Sequence, residues 1–277
     1  MKSINTLKKV SLATFLTFVL SFSSLFAQND TIYFMKDGLI VNKQSIKMAD
    51  LDSAIFYQPT IEETTSGTFI DSRDGNEYNW VQIGDQVWMA ENLAYLPSVN
   101  MVADGSEDAA GSYYYVYGYN GTNVTDAKAT ANYTTYGVLY NWTAAMDGEA
   151  SSTTNPSGIQ GVCPAGWHLP SDAEWTELTD YLGGTSVAGG KLKETGTTHW
   201  ASPNAGATNE TGFTALPGGY RNFDGNFLDV GYYGLWWSST ERDTNYAYYR
   251  FLNYNYVSLI DFSNAKEIGF SVRCVRD

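Results

Sequence analysis

The chain has 277 residues, with 30 acidic side chains against 16 basic ones and a formal charge of −14 at pH 7. Such a balance repels nucleic acid and anionic lipid, and it favours neutral partners, cationic partners or divalent cations. With 15% aromatic and 17% charged residues, the composition excludes a disordered tail and suits a β-rich or α+β protein whose Tyr and Trp rings carry polar tips.

The first thirty residues, "MKSINTLKKVSLATFLTFVLSFSSLFAQND", have a basic start, an apolar run from Val10 to about Leu20, and small residues leading to Ala27. This is the layout of a secretory signal with cleavage expected after Ala27, so 1–27 is set aside from the fold. Ser11, Thr14, Thr17 and Ser21 interrupt the apolar part, which falls short of the ~20 residues needed to span a bilayer. No membrane span is expected after cleavage, and export to the periplasm, cell surface or medium follows. Only two cysteines, Cys163 and Cys274, stand in the chain. In an oxidising compartment they make one bridge, closing a loop on the order of a hundred residues.

Residues 28–58 alternate apolar and polar around Lys36-Asp37-Gly38, and "SAIFY" reads as a further strand, giving a small β-hairpin module. Residues 59–67, "PTIEETTSG", read as a linker. From Thr68 onward, "FIDSRDGNEYNWVQIGDQVWMAENL" predicts two or three short strands with turns at Asp74-Gly75 and Gly84-Asp85. Between Ala94 and Thr135 a long, irregular surface insertion is expected. Residues 136–148, "YGVLYNWTAAMDG", predict a short buried helix. "LPSDAEWTELTDYLGG" predicts another: Ser171 and Glu174 form a capping box, Trp175, Leu178 and Leu182 make one apolar stripe, and Gly183 closes it. After Trp200 strands return, with a tight hairpin at Phe223-Asp224-Gly225-Asn226-Phe227. Two helices within a run of short strands argue an α+β fold.

Six blocks occur in a fixed order: "DSRDGNEYNWVQIGDQVWMAENL", "YGVLYNW", "CPAGWHLPSDAEWTEL", "GFTALPGGYRNFDGNF", "LWWSST" and "GFSVRCVRD". Together they resemble the Fibrobacter succinogenes major paralogous domain, a family of exported bacterial proteins, over residues 68–277. The segment "IYFMKDGLIVNKQSIKMADLDSAIFYQ" looks like a short N-terminal module of exported Bacteroidetes-type proteins. The family resemblance implies a C-type-lectin-like fold, related to that of formylglycine-generating enzymes, with two helices flanking short twisted antiparallel sheets and long irregular loops. It carries no defined activity to transfer. An enzyme of the formylglycine-generating kind would need two reactive cysteines close together in the C-terminal region, and Cys274 has no second cysteine nearby.

Several residue groups stand out as candidate sites. His168 beside Asp172 offers an acid–base pair, while the plainer reading packs His168 between Trp167 and Leu169 and leaves Asp172 in the favourable first turn of the helix. With His168 and His199 the only histidines, an imidazole-rich metal site is excluded, and there is no G-x-S-x-G elbow for serine catalysis. Calcium is the remaining metal: "DSRDGNE", "DGSED" and "DGNFLD" gather oxygen ligands around glycines, giving Asp104, Glu107, Asp108, Asp224 and Asp229 as candidates. None matches an EF-hand loop, and a hairpin turn is the plainer reading of each. For binding, "NYAYYRFLNYNYV" places Tyr246, Tyr248, Tyr254 and Tyr256 at period two around an expected turn at 253–255, with Arg250 and Asn255 beside them. Rings that stack on C–H faces and amides that bond hydroxyls suit sugars, and suit protein surfaces too; "SYYYVYGY" at 112–119 is a possible companion surface. The sequence thus reads as an exported, non-catalytic binding module with a glycan or surface protein as partner and no required cofactor. The alternatives are an enzyme on the same fold and a structural surface protein.

Overall fold

The computed structural model describes residues 65–105 and 108–277 in full and the backbone of 30–36 and 39–46. The expected signal segment, the "SAIFY" strand, most of the linker and Glu107 lie outside the described residues. The chain divides into two compact units, Met1–Glu63 and Thr64–Asp277. In the first, β1 (Asp30–Lys36) and β2 (Leu39–Ile46) pair antiparallel, with a register shift between Phe34 and Met35.

The second unit is α+β, built from several small antiparallel sheets and short helices. Its largest sheet has the order β3-β4-β5-β14-β8. Here β3 (Ser66–Ile70), β4 (Glu77–Ile83) and β5 (Gln86–Met89) are joined at the two expected turns, so the first strand begins inside the stretch read as linker. The C-terminal β14 (Val275–Arg276) inserts between β5 and β8 (Trp167–His168), pairing Val275 with both Trp88 and His168. A three-stranded sheet follows the order β11 (Tyr233–Glu241), β12 (Tyr246–Asn253), β13 (Leu259–Ala265). Two two-residue ladders complete the strands: β6 (Tyr114–Tyr115) with β7 (Leu139–Tyr140), and β9 (Tyr220–Arg221) with β10 (Phe227–Leu228), the latter across the expected Asp224-Gly225 turn.

Five helices occur among the described residues, where two were expected. Two of them, α1 (Val124–Lys128) and α2 (Ala131–Tyr136), order the stretch read as an irregular surface insertion. Leu96, Val99, Tyr115 and Val116 of that stretch are buried, because it supplies part of the main core. The helix expected over 136–148 shrinks to α3 (Trp142–Met146), capped by Asn141. Gly137 breaks it: at φ 74° a side chain there would meet the Leu93 carbonyl at 2.7 Å, and the residues after it form β7 instead. The longest helix, α4 (Asp172–Tyr181), has the expected capping box, and its stripe of Trp175, Leu178 and Leu182 is buried. The unexpected α5 (Thr185–Leu192) follows it directly.

Two apolar clusters result. One gathers Tyr140, Trp142, Met146, Trp237 and Phe270 around the cysteines. The other stacks Trp88 on Trp175 at 4.5 Å and adds Trp200, Phe213 and Trp236.

Candidate binding surface

Cys163 and Cys274 are bonded, with Cα atoms 6.0 Å apart and 111 residues between them in sequence. Both are fully buried, so the bridge fixes β14 to the loop before β8. His168, on β8, lies beside this staple and is 3% exposed. Its Nδ1 faces Asp277 Oδ1 at 2.7 Å and its Nε2 faces Glu174 Oε1 at 2.6 Å. Burial alone would lower its pKa, but the two carboxylates outweigh that and the net shift is upward. Both ring nitrogens are therefore taken, and the imidazolium acts as a strut between the capping box of α4 and the C-terminal residue. The plainer reading of this stretch holds, with His168 buried and Asp172 in the first turn of α4; the alternative acid–base pair does not form, since the Asp172 carboxylate pairs with Arg250.

Arg250 shows how the aromatic row divides. Although in phase with Tyr246 and Tyr248, it is 3% exposed, because α4 packs against that face of β12. Its guanidinium pairs with the Asp172 carboxylate and donates to the Asp172 carbonyl at 3.0 Å and to Thr176 Oγ1 at 3.1 Å. Arg250 is thus a structural cation, not a member of an exposed row. Tyr246, under the Arg242 guanidinium at 4.4 Å, and half-buried Tyr248 sit toward one end of the hairpin. Tyr254, Asn255 and Tyr256 sit at the other, about 23 Å along the strand from Tyr246, in the connection between Asn253 and Leu259, which opens with the expected turn at 253–255, where Asn253 Oδ1 accepts from Asn255 N at 2.7 Å.

That turn is supported from below by α5. Gly189 and Gly190 lie on its inner side, where a Cβ on either would collide with the Ser258 or Gly206 carbonyl; Gly190 N–H instead donates to Val257 O at 2.9 Å. Immediately after the helix, buried Lys193 donates its three ammonium protons to Ala205 O (2.8 Å), Tyr256 O (2.9 Å) and Asn253 O (3.1 Å). Burial pulls its pKa down to about 8, which leaves it charged at neutral pH. Above this clamp Tyr256 is 55% exposed and Tyr232, 48% exposed, meets Tyr254 edge-on at 5.2 Å. Exposed Tyr232 and Tyr256, half-buried Tyr254 and exposed Asn255 make up a small candidate platform.

Lys193 and Tyr232 were not among the sequence candidates. The signal for Lys193 was the "AGGKLK" run, where two glycines inside a helix mark close approach of another backbone. Tyr232 carried none, since its neighbour Tyr254 is distant in sequence.

A cleft of about 510 Å³ has a mixed lining, with Tyr78, Ala90, Tyr133 and Leu216 among its apolar side chains. His199 and Glu194 line it, the Nδ1 of the histidine standing 2.8 and 3.0 Å from the two carboxylate oxygens. Asn76 from the turn before β4, Glu77 from β4, Glu91 from the segment after β5 and Thr134 from α2 also line it. Backbone hydrogen bonds stitch cleft to platform: Ala201 N to Gly231 O at 2.7 Å, Tyr254 N to Tyr232 O at 3.0 Å, and Ala205 N to Tyr254 O at 2.8 Å.

The calcium candidates do not converge. Asp108 accepts from Tyr113 Oη at 2.6 Å and from Ala110 N at 2.9 Å. Asp104 accepts from Met101 N at 3.0 Å, and Asp224 caps its own turn through Asn226 at 3.0 and 2.9 Å. Asp229, at φ 60°, belongs to the bend before Tyr232. Among the described residues no group of three or more His, Cys, Asp or Glu side chains is placed to hold a metal ion. Nor is any described helix long and apolar enough to cross a membrane. "SYYYVYGY" does not form a companion surface as a unit: Tyr115 and Val116 are buried, and Tyr117 packs on Phe227 at 5.1 Å.

The family model described as the Fibrobacter succinogenes major domain matches residues 81–276. No curated protein and no solved structure matches the chain.

Proposed function

The chain belongs to the Fibrobacter succinogenes major domain family, and from that premise we propose that it is an exported, non-catalytic binding module of C-type-lectin-like fold, acting at the cell envelope or outside the cell, with a glycan as ligand. The observation that carries this reading is the clamped platform. Tyr232 and Tyr256 are exposed, half-buried Tyr254 meets Tyr232 edge-on, and the Lys193 ammonium holds the Asn253 and Tyr256 carbonyls of the turn. A turn fixed before binding loses little entropy on binding, which favours stacking against a sugar ring. The disulfide is in keeping with an oxidising compartment.

A glycan array with the mature chain tests the reading. Saturable binding lost in Tyr254→Ala or Tyr256→Ala supports it, and a flat response across neutral and charged glycans sinks the glycan version. The enzymatic alternative requires a reactive thiol, whereas both sulfurs are committed to one bridge. Alkylation of the native protein before reduction would revive that alternative. A structural surface protein would leave both assays silent.

A further inference from the structure

We propose that the cleft beside the platform is an end-recognition subsite, which takes the terminal, uncharged residue of a glycan whose inner residues stack on Tyr232, Tyr254 and Tyr256. This rests on the binding reading above and adds the ligand's polarity, its orientation and its charge class. Contiguity is the first support. The segment that carries His199 is held to the segment that carries Tyr232 by the hydrogen bond from Ala201 N to Gly231 O, so cleft and platform share one backbone support. The cleft's volume, about 510 Å³, falls in the range of about 300–1,000 Å³ usual for small-molecule sites. Residues from β4 and α2 contribute to its lining besides those next to the platform, and such a multi-sided wall suits a chain end better than a chain passing through.

The lining selects the chemistry. Glu77, Glu91 and Glu194 bring carboxylate oxygens, which accept hydroxyl protons and repel an acidic sugar. Both oxygens of Glu91 already hold Asn79, through its N–H at 3.0 Å and its Nδ2 at 2.8 Å, so this carboxylate is fixed in place. Glu194 is oriented by His199 Nδ1, and the His199 Nε2 has no partner among the described residues. One nitrogen is thereby left for a ligand hydroxyl. Exposed Thr134 adds a hydroxyl, while the Asn76 Nδ2 is already given to Asp74 Oδ2 at 2.9 Å. These groups suit the hydroxyls of a neutral sugar, and no Lys or Arg lines the cleft to pair with a uronate.

The test uses calorimetry on the full mature chain. Its probes are cellopentaose, chitopentaose and mannopentaose, each with and without oxidation of the terminal residue to the uronic acid. Wild-type protein is expected to bind at least one neutral probe and to bind its oxidised form roughly tenfold more weakly or worse. Glu194→Gln is expected to weaken the neutral probe about tenfold, as for one charge-assisted hydrogen bond, and to narrow the gap between neutral and oxidised forms. That narrowing is not produced by a merely structural role. Because Glu194→Gln disturbs the contact with His199, a second variant, Thr134→Trp, fills the cleft from an exposed position and is expected to weaken the same probe while the melting temperature stays unchanged. If Tyr256→Ala abolishes binding but both cleft variants bind both forms as wild type does, the subsite is wrong and the binding reading stands. If no probe binds at all, both fall.

Discussion

Replacing both bridged cysteines by alanine, as Cys163→Ala/Cys274→Ala, tests the structural reading of the residues around His168. The bond closes a loop of 111 residues, which holds α4, α5 and the whole of the β11-β12-β13 sheet. In the chain-entropy picture, releasing a loop of that length restores about 5 kcal/mol of disorder to the unfolded state at 25 °C. Both sulfurs are fully buried, so deleting them also leaves a small void, worth about 1 kcal/mol more. For a unit of this size each kcal/mol moves the melting temperature by about 2–4 °C, and the expected fall is therefore about 12–24 °C. Thermal and urea melts of the double variant against the oxidised wild type measure it, with intact mass after alkylation confirming that the wild type carries no free thiol. A fall under about 5 °C with an unchanged urea slope would refute the reasoning. It would mean that the hydrogen bonds of β14 to β5 and β8, such as Met89 N to Cys274 O at 3.0 Å, hold the C-terminus without the bond.

The charged state of His168 gives a pH signature. Its pKa is raised on folding, so its stabilisation is complete below the unfolded value near 6.5 and is lost as pH rises through the folded value. Melts between pH 6 and 9 are expected to show falling stability that is flattened in His168→Gln, and an identical slope in the variant would exclude the strut. In Lys193→Met three carbonyls, one of them buried and two part-buried, lose their donor, at an expected cost of about 2–3 kcal/mol. Amide exchange should accelerate first at Val257 and its neighbours, and a uniform change across the unit would contradict the clamp. Gly189→Ala forces a methyl group against the Ser258 carbonyl and Leu252, with an expected loss of about 1–3 kcal/mol; a neutral melt would show that α5 and the turn are not in close contact. Arg250→Met strands the Asp172 carboxylate beside an apolar chain and should destabilise by about 1–3 kcal/mol, since Asp172 is partly exposed and can be rehydrated. It should leave glycan binding unchanged, whereas a loss of binding with intact stability would return Arg250 to the binding surface.

Elements whose signal lies within a few residues were legible in the sequence. The capping box of α4, its Trp175, Leu178 and Leu182 stripe, and the Asp74-Gly75, Gly84-Asp85 and Asp224-Gly225 turns all depend on neighbours three or four positions apart, and each forms as the local pattern dictates. Helix α5 was missed for the opposite reason. Two adjacent glycines lower its intrinsic propensity, and it exists because the turn before β13 packs against the side where those glycines leave room.

The sequence by itself determined the α+β class, the family and the pairing of the only two cysteines, because ordered motifs and a count of two leave few alternatives. Tertiary structure alone decided which polar groups meet. His168 takes Glu174 and Asp277 in place of Asp172, Arg250 turns inward, and Tyr232 joins Tyr254. Period-two alternation assigns a side chain to one face of a strand but does not say whether that face meets solvent or a helix. On β12 it meets α4 at Arg250, while the turn beyond Asn253 stays open, and that difference in cover buries Arg250 and leaves Tyr256 exposed.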